Sequence, residues 1–144
     1  MSSEQPDYED AELTLKLYEL RREPVMRESR NAIMAKFWPK TYDDFFAVTK
    51  PDHPLNAPFR QVSSYWEMVY GMAKHKITHA DFLMENNAEG LFLYAKVLPY
   101  LERYRKEFSP FAFRNAEWIT QNSEEGKRRF EMIQGRVRKM METK

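Results

Sequence analysis

An all-α domain of about six or seven helices, one of them kinked by a proline, is what this sequence predicts. Three observations carry that reading. Glycine is scarce, with four in 144 residues, while the strong helix formers Glu, Lys, Arg, Leu and Met are plentiful. Apolar residues recur at the i, i+3, i+4 spacing of one helix face along most of the chain, and no segment alternates convincingly as a strand. Ten Phe, eight Tyr and three Trp supply a core although 31% of the residues are charged. A chain of this length buries roughly 70% of its unfolded surface around a single core. We therefore expect a disordered tip over residues 1–7 and one helical domain over residues 8–144.

The first helix is "YEDAELTLKLYELRR", with apolar stripes at positions 13, 17 and 20 and at 11, 15 and 18. Leu13, Leu15 and Leu17 also alternate as a short strand would, but acids crowd the start and Arg21 and Arg22 the end, as a helix dipole favours. Pro24 suits the first turn of "PVMRESRNAIMAKFW", which is expected to bury Val25, Met26, Ile33, Met34 and Phe37 and to stop before Pro39. "TYDDFFAV" starts on Thr41 with an acid at 44, a capping-box-like start. "TKPDHPLNAP" holds three prolines and reads as the one irregular loop.

"FRQVSSYWEMVYGMAKHK" then places apolar residues at 59, 62, 65, 66, 69, 72 and 73, an almost faultless helical face. "KITHADFLMEN" is a turn into a short helix with Thr78 as cap and Asp81 three residues on. From Ala88 to Phe108 a strongly apolar helix contains Pro99, which removes a hydrogen bond to Ala95 and should kink or divide it. "PFAFRNAEWI" is a short aromatic helix. "SEEGKRRFEMIQGRVRKMMETK" closes the chain from a Ser123 cap, with Phe130, Ile133, Val137, Met140 and Met141 on one side. Acid-before-base pairs are expected at Glu102/Lys106, Glu124/Arg128 and Glu125/Arg129.

Composition excludes more than it identifies. Without cysteine there is no disulfide, thiolate metal site, redox dithiol or cysteine nucleophile. The acidic N-terminal stretch lacks the pattern of a secretory signal, and no apolar run approaches the length of a membrane span. Both points, with the missing cysteine, lead us to expect a cytoplasmic protein. A formal net charge of +1 gives no global attraction to nucleic acid. Residues 1–23 nevertheless carry net −4 and residues 124–144 net +3. The basic last helix is thus the place where nucleic acid would bind, but glutamates dilute the patch and no such partner is expected. No glycine-rich phosphate loop and no Gly-x-Ser-x-Gly elbow occurs, so no cofactor is expected.

Three candidate sites remain. Glu67 lies between core-facing columns of the central helix, where partial burial would raise its pKa as in many general acids; the alternative is a carboxylate bonded within a structural network. A pocket built on it would be lined by Tyr65, Trp66, Tyr70 and Tyr104, with Arg105 as second polar group. His75 and His79, four apart, would share a helix face as metal ligands need, with Asp81 as a third; a helix boundary near Thr78 argues against this, so no metal is expected. The row Phe130, Ile133, Val137, Met140 and Met141 is a candidate interface with a second subunit or another protein.

"LYELRREPVMRESRNAIMAKFWP", "FRQVSSYWEMVYGMAKHKIT" and "KVLPYLERYR" together resemble a group of bacterial all-helical proteins of unknown function. Their shared features are an aromatic-Trp-Glu motif on a central helix, an Ile-Thr or Ile-Asp helix start, and a Pro-containing helix ending in Arg. The matching positions are Tyr65, Trp66, Glu67, Pro99 and Arg105, within residues 13–110. The resemblance implies the helical fold and transfers no activity. The expected function is non-catalytic binding through self-association or a protein partner, and the alternative is a ligand-binding protein or enzyme with the Glu67 pocket.

Overall fold

Asp7 opens the first helix of this chain by accepting a hydrogen bond from Asp10 N at 3.0 Å, while Asp10 Oδ2 accepts from Asp7 N at 2.8 Å, a reciprocal capping box. The computed structural model describes residues 5–144. Residues 1–4 of the expected disordered tip lie outside the described residues, and Asp7, also assigned to that tip, is an ordered cap. The described residues form α1 (Tyr8–Arg21), α2 (Pro24–Lys36), α3 (Tyr42–Val48), α4 (Asn56–Lys74), α5 (Ala80–Asn86), α6 (Gly90–Glu107), α7 (Arg114–Asn122) and α8 (Glu124–Met141). Among them there is no strand. Eight helices exceed the six or seven expected, although each of the eight corresponds to a segment read as helical, the three short ones α3, α5 and α7 included.

α4 is the central helix, packed against α2, α7, α6 and α5, while α8 lies across α5, α6 and α7. α3 leans on α6, and α1 sits at the margin against α2 and α5. The interior is sealed by Phe45, Val48, Val69, Tyr70, Val97 and Ile119, each fully buried. Burying one such side chain stabilises the fold by roughly 1.5–3 kcal/mol. Phe45 stacks on Tyr100 at 5.9 Å and meets Tyr104 edge-on at 5.1 Å, which fixes α3 on α6.

Several local expectations shift. Pro58 belongs to the first turn of α4 rather than to the loop, as its fixed φ allows. α4 ends in a Schellman turn: Lys76 takes a left-handed φ of 62°, Ile77 N donates to Met72 O, and Lys76 N donates to Ala73 O. The cap of α5 is consequently His79, whose Nδ1 accepts from Phe82 N at 3.1 Å, and not Thr78. Thr78 is buried and donates to Asp10 Oδ1. Val25 and Met34 are exposed, because α2 turns Met26, Ser29 and Ile33 inward, with Phe37 buried just past its end.

α6 passes through Pro99 undivided, with the proline on its exposed side. α7 begins at Arg114, four residues later than the aromatic run suggests, since Phe113 stands at φ 57° and breaks the helical path. Ser123 caps α8 by accepting from Gly126 N at 2.9 Å, as its sequence position indicates. Glu125 pairs with both Arg128 and Arg129, which leaves Glu124 out of the expected pair, and Arg103/Glu107 takes the place of Glu102/Lys106.

Candidate functional site

Where α7 begins, its own sequence supplies no cap: Phe113 has no side chain able to accept a hydrogen bond. The first turn of a helix presents free N–H groups and a partial positive charge, so an acceptor must come from elsewhere. Glu67 of α4 supplies it. One carboxylate oxygen accepts from Asn115 N at 2.9 Å and the other from Ala116 N at 2.9 Å. Asn115 Nδ2 returns a bond to the backbone carbonyl of Glu67 at 2.9 Å. One turn further on, Gly71 keeps the helices close, for a Cβ there would lie 2.8 Å from Asn115 Nδ2. Burial pushes the Glu67 carboxyl above its usual value, and the two backbone donors and the Arg105 charge oppose that rise.

Arg105 stands beside this cap but is committed to other partners. Its Nε donates to Ala112 O at 2.8 Å and its Nη1 lies 3.3 Å from Glu117 Oε1, which also holds Arg114. Its Nη2 is buried without a partner. Tyr104 packs into the aromatic group of Phe45, Phe46 and Phe108. The other three predicted pocket residues face a different part of the molecule. Trp66 stacks on Tyr70 at 5.6 Å, Tyr70 OH donates to Asn87 O at 2.8 Å, and Tyr65 OH donates to Leu17 O at 2.7 Å. Burial raises the phenols of both tyrosines, most strongly that of Tyr70, which is fully enclosed.

No one depression gathers all six residues, although Glu67 and Tyr104 line one together. Glu67 lines two open depressions of about 440 and 300 Å³ that flank the exposed Phe111, whereas Arg105 lines a third of about 540 Å³ beside Leu98 and Leu101. The spacing of aromatic residues along α4 was readable, but α4 buries several sides, so neighbours in sequence diverge in space.

The metal candidates are likewise separated. His75 caps the end of α4, His79 caps the start of α5, and the Schellman turn between them breaks the shared face. Asp81 instead accepts from Ser123 Oγ at 2.5 Å, tying α5 to the start of α8. Among the described residues no group of three or more His, Asp or Glu side chains is arranged to hold a metal ion.

The candidate interface on α8 is mostly consumed by the chain itself. Ile133 and Val137 are buried, Phe130 packs on Tyr94 at 5.1 Å, and Met141 lies against the core; only Met140 is exposed. An open apolar row lies on α1 instead. Of its inner stripe Leu13 and Leu17 pack inward and Leu20 is left exposed, while Leu15 and Tyr18 of the adjacent stripe are open. Tyr8, Leu15 and Tyr18 are 76%, 66% and 47% exposed. They fall at i, i+7 and i+10 on one side of the helix, with Ala11 between them. Leu15 and Tyr18 were visible as a second stripe in the sequence; which stripe would be covered was not.

Two further polar links had no sequence signal. Arg30 grips Glu89 through two bonds of 2.7 and 2.6 Å, joining α2 to the start of α6 across 59 residues. Lys96 is buried, donates to Ile33 O at 3.2 Å, and stands 3.8 Å over the Trp38 ring.

A family model described as a domain of unknown function, DUF4760, matches residues 7–123. The chain belongs to that family. The DUF4760 match runs from the cap of α1 to the cap of α8, so it takes in α1, the Glu67 cap of α7 and the Arg30–Glu89 pair, and leaves α8 outside. No curated protein and no solved structure matches the chain. No helix among the described residues is long and apolar enough to cross a membrane.

Proposed function

We propose that this DUF4760 chain works by binding another protein chain, without catalysis of its own, through the outer row of α1. The observation that carries the reading is the alignment of Tyr8, Leu15 and Tyr18, large apolar side chains exposed together on one helix. Isolated apolar side chains on a surface are ordinary; a row along a marginal helix is a shape that a partner helix fits. The commitment of Glu67, Tyr65, Tyr70 and Arg105 to interhelical hydrogen bonds supports the non-catalytic part of the reading. A chain free of cysteine suits a bacterial cytoplasm, the setting this reading assumes.

A photo-crosslinking residue placed at position 15 in cells tests it. Discrete adducts are expected from position 15 and none from Lys139, exposed on α8. Absence of adducts at position 15 removes the proposal.

A second reading, a small-ligand site at Glu67, is favoured by one observation: a carboxyl with raised pKa lines two depressions beside the exposed Phe111. A ligand held there would change the fluorescence of Trp118, which lines the larger of the two.

A further inference from the structure

The outer row of α1 runs Tyr8, Ala11, Leu15, Tyr18, Arg22, the alternating three-and-four spacing that two helices use to pack along a common seam. Ala11 is the one small side chain in the row, so two copies laid antiparallel can set Leu15 of one against Ala11 of the other, with Tyr8 against Tyr18. The charges along the same helix fix the direction. Asp7, Glu9 and Glu12 are exposed at its start, and Lys16, Arg21 and Arg22 cluster toward its end, with Glu19 the one acid among them. Parallel pairing would set acid on acid, base on base, and align the two helix dipoles. Antiparallel pairing sets each acidic start against a basic end and opposes the dipoles.

A two-fold interface must be complementary to itself: the Leu15–Ala11 pairing meets that in size, and the acidic start beside the basic end meets it in charge, with Glu19 opposite Asp7 the one like-charged pair. The geometry points to a second copy of this chain as the partner on α1, in an antiparallel two-fold pair centred between Ala11 and Leu15. This inference rests on the association reading above and names its partner.

The scale of the contact sets the strength of the pair. A helix of 14 residues is about 21 Å long, and two such faces bury on the order of 1,000 Å² in total, at the lower edge of specific interfaces. A contact at that edge makes a weak, concentration-dependent dimer. Leu15, 66% exposed, is not needed by the folded monomer, whereas the half-exposed Tyr18 ring also carries Arg21 and Arg22 over its face.

Sedimentation equilibrium of the purified chain, taken to several hundred micromolar, is the experiment. The wild type is expected to move from monomer to dimer. Leu15→Glu is expected to raise the Kd at least about tenfold, while its circular dichroism and unfolding midpoint stay unchanged. Because the chain has no cysteine, orientation can be read with single introduced thiols and a short bismaleimide. Gln5→Cys mixed with Glu19→Cys should crosslink between copies, and Gln5→Cys alone should not. Crosslinking of Gln5→Cys to itself would overturn the antiparallel geometry. A wild type that stays monomeric overturns the self-partner. If position 15 then still crosslinks to a different protein in cells, only this inference falls; if it crosslinks to nothing, the association reading falls with it.

Discussion

Glu67 of α4 caps α7 at Asn115: the carboxylate takes the Asn115 N–H while the Asn115 side chain returns a bond to the Glu67 carbonyl, both at 2.9 Å. With Ala116 N on its second oxygen, Glu67 does from another helix what an N-cap residue does locally. Glu67→Gln keeps the shape but leaves one acceptor for two donors and removes the charge opposite the helix dipole. A loss of about 1–3 kcal/mol in urea unfolding is expected. An unchanged midpoint would return Glu67 to the list of functional candidates.

Gly90 sits where α6 begins against α4, and a Cβ on it would lie 2.5 Å from the Trp66 ring and 2.7 Å from Tyr70 OH. Both rings are enclosed and have nowhere to go. Gly90→Ala should cost on the order of 1–3 kcal/mol. Gly135, also in a helix, meets nothing within 4 Å, so Gly135→Ala should raise the unfolding midpoint by the equivalent of about 0.5–1 kcal/mol. Thermal denaturation of the two variants should move in opposite directions.

Lys76 holds the left-handed position of the Schellman turn that ends α4, at φ 62°. A side chain costs roughly 1 kcal/mol in that conformation and glycine does not. Lys76→Gly is expected to stabilise the fold by a little under that amount, since glycine also frees the unfolded chain. Chemical denaturation measures it directly; a loss of stability would mean that the Lys76 side chain contributes more than its backbone angle costs.

Lys96 is 2% exposed, and burial pulls its ammonium down to about 7 from an ordinary value of 10.5, with the Lys144 charge adding to the effect. Arg30 and Glu89 line the same small void, and Lys144 Nζ stands 5.0 Å from the Trp38 ring centroid. Between pH 7 and 10.5 the unfolded chain holds a proton that the folded chain has released. Stability should therefore rise as pH increases through that interval and level off below it. Lys96→Met, which fills the same space without the charge, should flatten the slope and stabilise the protein at pH 6 by on the order of 2 kcal/mol. Urea titrations at several pH values would refute this if wild type and variant ran parallel.

The helical periods along α4, α6 and α8 and the caps at Thr41 and Ser123 were legible because each depends on residues a few positions apart. The start of α5 was misread by one residue because His79, an uncommon cap, does the work assigned to Thr78. Asp10 takes Thr78 and His79 N from 68 and 69 residues away. No local pattern announces such a partner. Glu67 was recognisable as a partly buried carboxylate with a raised pKa, but not as the cap of a helix 48 residues further on.

From sequence alone came the helical character of the chain, its aromatic interior and the chemistries that a cysteine-free, glycine-poor composition forbids. These follow from side-chain spacing and residue type, which act within a turn or two of helix. Tertiary structure alone decided which apolar stripe is covered: α8 spends its row on the core, whereas α1, at the margin, leaves Tyr8, Leu15 and Tyr18 in solvent. A stripe looks the same in sequence whether its partner is the same chain or another, because burial depends on where distant helices cross.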